Sequence, residues 1–193
     1  MPLVETQQLK TTADVTQAVI AVARQFGFTP VETNEFPVVG EMAARLMKHE
    51  VASCETFQTV QAIQPGSSLC FREDGAITGI TGLLLLREVA VAGLLAGEFD
   101  GVAVDADLLS RPGEGPAIGY GWGIAATTKT AGAAITALSM PLRLGPLGGL
   151  SFVTKAVTGA GRHVAITRMG YQPLRHPDDD LLVSWAEAQR RAA

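Results

Sequence analysis

The residues best suited to chemistry lie at positions 117–138, where a run of small side chains leads to a cation and a glycine. The pattern predicts a strand, a short loop over residues 129–132, and then a helix. Thr127 and Thr128, just before the loop, are residue types that cap helices. Small side chains leave the first N–H groups of a helix uncovered, and the peptide dipoles favour an anion there. We therefore expect a phosphate-bearing cofactor to dock on this loop.

The distribution of charge also favours an anionic ligand for this region. The whole chain of 193 residues has a net charge of −4, but residues 115–177 contain no Asp or Glu and six Lys or Arg. Residues 1–114 carry 15 acidic and 7 basic residues. The alternative is that the basic side chains are ordinary solvated strand edges. Nucleic acid is not an expected partner, because these basic residues are dispersed among few aromatic ones.

Two familiar phosphate motifs fit the loop poorly. Residues 121–126, Gly-Trp-Gly-Ile-Ala-Ala, formally match the G-x-G-x-x-A dinucleotide fingerprint. That fingerprint requires an acid about 20 residues further on, and the next acid here is Asp178. A nucleotide-binding P-loop is excluded because the chain has no G-x-x-x-x-G-K-[ST].

A third pattern is Lys129-Thr-Ala-Gly132-Ala-Ala134, which resembles the cation-x-x-Gly-x-Gly/Ala loop of the GNAT-type acyltransferases. A hairpin over residues 68–86 stands where that family has its second and third strands, and residues 117–126 stand where it has its fourth. Residues 168–174, Arg-Met-Gly-Tyr-Gln-Pro-Leu, resemble the family's late Gly-Phe turn. The resemblance extends over about residues 60–175.

The resemblance implies an α/β fold with a mixed, mostly antiparallel central sheet flanked by helices and containing a splayed pair of strands. Acetyl-CoA or another acyl-CoA would lie between the fourth and fifth strands, and its acyl group would pass to an amine of a small molecule or peptide. Backbone groups of Ile124 and Ala126 would contact the pantetheine arm. The diphosphate would be held by the loop, which comprises Lys129, Thr130, Ala131, Gly132, Ala133 and Ala134.

The chain departs from the family pattern at the position of the proton donor. A tyrosine usually stands four residues before the late glycine, where this chain has Ile166, and Gly159 replaces a common asparagine. His163 is the best substitute acid in the same predicted helix. The alternative function is therefore a catalytically inactive GNAT-like module that binds CoA or another small ligand or serves as an interaction domain.

A general base must come from elsewhere, because residues 115–177 contain no carboxylate. Acyl transfer to an amine needs such a base or an ordered water within reach of the nitrogen. The candidates lie in the preceding segment or on the strand itself, and each has an alternative role as a solvated charge or a packed ring. They are Glu98, Asp105, Asp107, Glu114 and Tyr120.

Composition and local sequence patterns predict the domain organisation and the secondary structure around this site. We expect one domain over residues 1–193, no membrane partner, a cytoplasmic location, no metal site and the possibility of a homodimer. Asp74-Gly75 predicts a tight type I′ turn in the hairpin. Outside the hairpin and the central stretch, strands are predicted at 3–9, 150–157 and 172–174. Helices are predicted at 12–26, 41–51, 162–169 and 181–191, and residues 88–99 are compatible with a further helix. Residues 56–63 stay open between strand and helix.

Overall fold

The computed structural model describes residues 10–47 and 49–186. Its helices and strands are arranged around one sheet. The helices are α1 Thr12–Gln25, α2 Phe36–Met47, α3 Cys54–Ile63, α4 Glu88–Ala96, α5 Lys129–Leu144 and α6 Gly159–Thr167. The strands are β1 Phe28–Pro30, β2 Ser68–Glu73, β3 Ala76–Leu86, β4 Ile118–Ala126, β5 Phe152–Lys155, β6 Gln172–Pro173 and β7 Leu181–Ser184.

The sheet has seven strands in the order β1-β2-β3-β4-β5-β7-β6. Every neighbouring pair is antiparallel except β4 and β5, which are parallel and are joined through α5. A parallel pair needs such a crossover, because the chain must return to the same end of the sheet. The predicted fold class, a mixed and mostly antiparallel sheet flanked by helices, is confirmed.

Helices cover both faces of the sheet. On one face, Ile135 of α5 packs with residues of α1 and with Leu85 of β3. On the other face, Leu94 of α4 packs with Leu84, and Met42 of α2 packs against β3 and β4. Successive strand residues point to opposite faces, so the run of leucines at the end of β3 contributes to both halves of the core.

The β2–β3 hairpin agrees with its sequence prediction. Asp74 and Gly75 both have positive φ, 51° and 82°, which is the backbone a type I′ turn requires. The turn lies beside the end of β4, because β3 continues antiparallel to β4 as far as the pair Gly79 and Ala126. The hairpin therefore brings its own polar residues to the junction of β4 and α5.

Several element predictions need correction. Residues 181–184 form β7 rather than part of a helix, since all four are buried between β5 and β6. The second helix begins at Phe36, not at position 41, and the open segment at 56–63 belongs to α3. The late helix begins at Gly159 because Thr158 caps it. The predicted strand at 3–9 lies outside the described residues, as does most of the tail beyond β7.

Candidate functional site

The central feature of the site is the point where β4 and β5 separate. The two strands pair only over residues 119–121 of β4 and 152–154 of β5. Beyond these residues β4 remains paired with β3 up to Ala126. The chain that continues β5 instead bonds to the segment before β7, because Ala156 N donates to Asp180 O. The two strands are therefore not paired with each other over residues 122–126 and 155–158, and the gap between these segments is named the β4–β5 cleft. This is the splayed strand pair that the resemblance implies.

A bulge at Trp122 coincides with the separation. Gly82 pairs with Gly123 and Leu83 with Gly121, so Trp122 is one extra residue in β4. Such an insertion bends the strand and increases its twist. The indole is held in place, since its Nε1 donates to Gly101 O at 2.6 Å and its ring lies 4.8 Å from that of Phe57. The bulged residue beside the strand separation is thus held by a hydrogen bond and by aromatic packing.

Both walls of the cleft carry an exposed apolar side chain. Ile124 on β4 is 46% exposed, and Val157, just after β5, is 38% exposed. If the parallel register were continued, it would pair these two residues, but the strands have already diverged. The cleft therefore combines apolar side chains with a β4 edge that pairs with no strand of the described residues over positions 122–126.

The helix that follows β4 begins earlier than expected. Lys129 is already in α5, and Thr128 is its N-cap, with Oγ1 accepting from Ala131 N at 3.1 Å. Gly132 N donates to Thr128 O, and Ala133 and Ala134 lie further inside the helix. The predicted loop over 129–132 is therefore wrong. Of the backbone N–H groups at 130–134 that were expected to hold the diphosphate, those of Ala131 and Gly132 are already bonded to Thr128. The N–H groups without an intrahelical acceptor belong to the first turn, at Lys129 and Thr130.

A carboxylate that sequence reasoning missed lies at this helix start. Glu73, the last residue of β2, accepts from Thr128 Oγ1 at 2.5 Å and from Thr78 Oγ1 at 2.7 Å. These two bonds lower the pKa of Glu73, and the Thr130 side chain contributes in the same direction. An anion is favoured at a helix N-terminus, and here the protein supplies its own.

The four acidic candidates for a base have other partners or lie in solvent. Glu114 accepts from Arg111 N at 2.9 Å and lies 3.4 Å from Arg87 Nε. It precedes the first residue of β4, whereas the cleft lies at the last residues of that strand. Asp107 pairs with Arg111 at 3.2 Å. Asp105 caps a short 3₁₀ turn by accepting from Asp107 N, and Glu98 is exposed after α4. The structure brings none of these to the cleft.

Tyr120 and His163 have different surroundings. Tyr120 is on β4, 7% exposed and packed against Phe99 with ring centroids 4.8 Å apart. Burial, and to a smaller extent the nearby Asp100 charge, raise the pKa of Tyr120 to about 12. A phenol of that pKa stays protonated near neutral pH, so Tyr120 fits a hydrogen-bond donor rather than a base. His163 is exposed on the second turn of α6.

Residues 10–47 and 49–186 offer no arrangement suited to two further kinds of site, a metal centre and a membrane-spanning helix. Within these ranges no three His, Cys, Asp or Glu side chains are grouped as the ligands of a metal ion would be. No helix in the same ranges combines the length and the apolar character needed to cross a membrane.

Comparison with known proteins gives a likeness to a solved structure. No protein-family model matches the sequence, and no curated protein matches it. Among solved structures, the chain is similar to GphF, a GNAT-like decarboxylase in complex with isobutyryl-CoA, with 17% identity and a TM-score of 0.48. The match covers 72% of this chain and 70% of that one. At this identity the similarity does not carry an activity from one protein to the other.

Proposed function

We propose that the protein binds the pantetheine arm of acetyl-CoA or another acyl-CoA in the β4–β5 cleft and transfers the acyl group to an amine. The observation that carries this proposal is the unpaired edge of β4 over residues 122–126. Backbone N–H and C=O groups along such an edge bind an extended chain by strand addition. A pantetheine arm is extended and carries amides, so it can pair with this edge while Ile124 and Val157 cover its apolar parts.

The reaction is direct attack on the thioester by a neutral amine. The amine nitrogen bonds to the carbonyl carbon, the C–S bond breaks, and the proton that the nitrogen loses is taken up by the departing thiolate, so that an amide and a free thiol form. Backbone N–H groups of β4 at the Trp122 bulge stabilise the negative charge that develops on the carbonyl oxygen. This placement gives the backbone, rather than a side chain, the main electrostatic role.

The described residues offer no carboxylate base at the cleft, so the amine must arrive neutral. An alkyl ammonium with a pKa of about 10.4 is almost wholly protonated at pH 7, whereas an aromatic amine is not. We therefore expect aromatic amines and hydrazines to be better acceptors than alkyl amines at neutral pH. For an alkyl amine, the rate should rise with pH in proportion to the neutral fraction.

A binding module without turnover is the second candidate. Two observations favour it: the acidic candidates are engaged away from the cleft, and Ile166 stands where the family resemblance would place a proton-donating tyrosine. The binding step is common to both functions, so the same ligand panel tests both.

The test combines two measurements on the purified chain. Thermal unfolding with and without acetyl-CoA and S-acetyl-pantetheine reports binding, since a ligand selective for the folded state raises the melting temperature. Release of free thiol in the presence of aniline, hydrazine and an alkyl amine reports transfer. Stabilisation with thiol release supports the acyltransferase, and stabilisation without it supports the binding module. Failure of both thioesters to stabilise the protein would overturn both functions.

A further inference from the structure

Glu73 occupies the helix start at which an acyl-CoA would place its diphosphate. Its Oε2 accepts hydrogen bonds from the N-cap hydroxyl of Thr128 and from Thr78. The Thr128 hydroxyl therefore uses both its donor and an acceptor, since it donates to Glu73 and accepts from Ala131 N. The carboxylate, which belongs to β2, is thus bonded to β3 and to the N-cap of α5.

The charges at this junction leave little attraction for a diphosphate. The N-terminus of a helix is equivalent to about half a positive charge, and Lys129, exposed in the first turn, adds one more. Glu73 and the exposed Asp74 of the adjoining turn contribute one negative charge each. The local sum is slightly negative, although residues 115–177 by themselves are basic.

We propose that Glu73 is a specificity-determining residue that makes the cleft select acyl-pantetheine thioesters over the corresponding CoA thioesters. This inference rests on the proposed binding of a pantetheine arm in the cleft. The acyl-pantetheine portion is uncharged and meets no repulsion at the junction. The diphosphate of CoA approaches a carboxylate that is held ionised in the place a phosphate would take.

The test compares two ligands on two variants of the whole chain. Glu73→Gln removes the charge, and its amide oxygen retains an acceptor for Thr128 and Thr78. Glu88→Gln is the matched control, since Glu88 is an exposed acid in the first turn of another helix, α4. Affinities for acetyl-CoA and S-acetyl-pantetheine are measured by titration calorimetry, and urea unfolding verifies that each variant is folded.

We expect the wild type to bind S-acetyl-pantetheine at least as tightly as acetyl-CoA. Glu73→Gln should lower the dissociation constant of acetyl-CoA by about tenfold at low salt, as expected when a charge within a few ångströms of a dianion in water is removed. The dissociation constant of S-acetyl-pantetheine should change by less than about twofold. Raising the salt concentration to about 0.15 M should reduce the difference between the wild type's affinities for S-acetyl-pantetheine and acetyl-CoA, because repulsion between exposed charges is screened.

The outcomes separate this inference from the proposed function. If the wild type binds both ligands and Glu73→Gln has an unchanged or weaker affinity for acetyl-CoA, the role of Glu73 is refuted while the cleft assignment stands. An equal gain in affinity for acetyl-CoA in Glu88→Gln would also refute the role of Glu73, because the net charge of the protein alone would then explain the effect. If the wild type binds neither ligand, the proposed function fails and the inference fails with it.

Discussion

Ile124 gives the most direct test of where the ligand lies. It projects from the unpaired part of β4 and is 46% exposed, although Ile is usually buried. If a pantetheine arm runs along this edge, it covers the exposed part of the side chain. Ile124→Ala removes most of that contact while leaving the backbone edge intact.

The size of the effect follows from the exposed fraction. Full burial of an isoleucine side chain is worth about 1.5–3 kcal/mol, and a ligand can cover at most the 46% that is still exposed. The expected loss of binding free energy is therefore about 0.7–1.4 kcal/mol, which corresponds to a dissociation constant about threefold to tenfold higher. The backbone hydrogen bonds should be unaffected, so binding weakens without being abolished.

Titration calorimetry with S-acetyl-pantetheine measures this change, because that ligand avoids the charges at the start of α5. Val89→Ala is the matched control: Val89 is 68% exposed on α4, away from the cleft. We expect the control to bind within twofold of the wild type. A wild-type dissociation constant in Ile124→Ala, or an equal loss in both variants, would refute the placement of the ligand along β4.

Three further predictions concern the framework. Gly119→Ala would place a Cβ 2.0 Å from Phe152 Cε1, so overpacking at the β4–β5 pair should lower the unfolding free energy by about 3 kcal/mol in urea. Gln64→Leu should cost about 2–4 kcal/mol in the same assay, because the buried amide bonds both Leu85 N and Ser110 O; a loss below 1 kcal/mol would contradict that role. The lowered pKa of Glu73 means that its ionised form stabilises the fold above about pH 4.3. This contribution should vanish as the pH falls through the folded-state pKa, where wild-type and Glu73→Gln unfolding midpoints should converge.

The parts of the fold that the sequence predicted correctly are those with local causes. Asp74-Gly75 specifies its turn through backbone conformation, and the residues on either side of that turn pair as the two strands of the hairpin. Thr128 was one of two predicted caps, and it does cap α5. These signals depend on a few adjacent residues, which a sequence displays directly.

The features that escaped prediction depend on partners distant in sequence. The helix predicted at 181–191 begins with Leu-Leu-Val-Ser, a run that fits a buried helix turn as well as a strand. Only its insertion between β5 and β6 decides in favour of β7. The bulge at Trp122 likewise exists only relative to β3, since it is defined by the pairs that Gly82 and Leu83 make.

The acid-free stretch at 115–177 shows why the charge of a segment does not give the charge of a site. In this strand order β3 lies beside β4 and runs antiparallel to it as far as Ala126, so the β2–β3 turn must border the start of α5. That placement carries Glu73 into a region whose own sequence is basic. Strand neighbours, and not chain neighbours, therefore determine the field at the junction. A ligand deduced from the segment alone would be an anion, whereas the assembled junction already contains a carboxylate of its own.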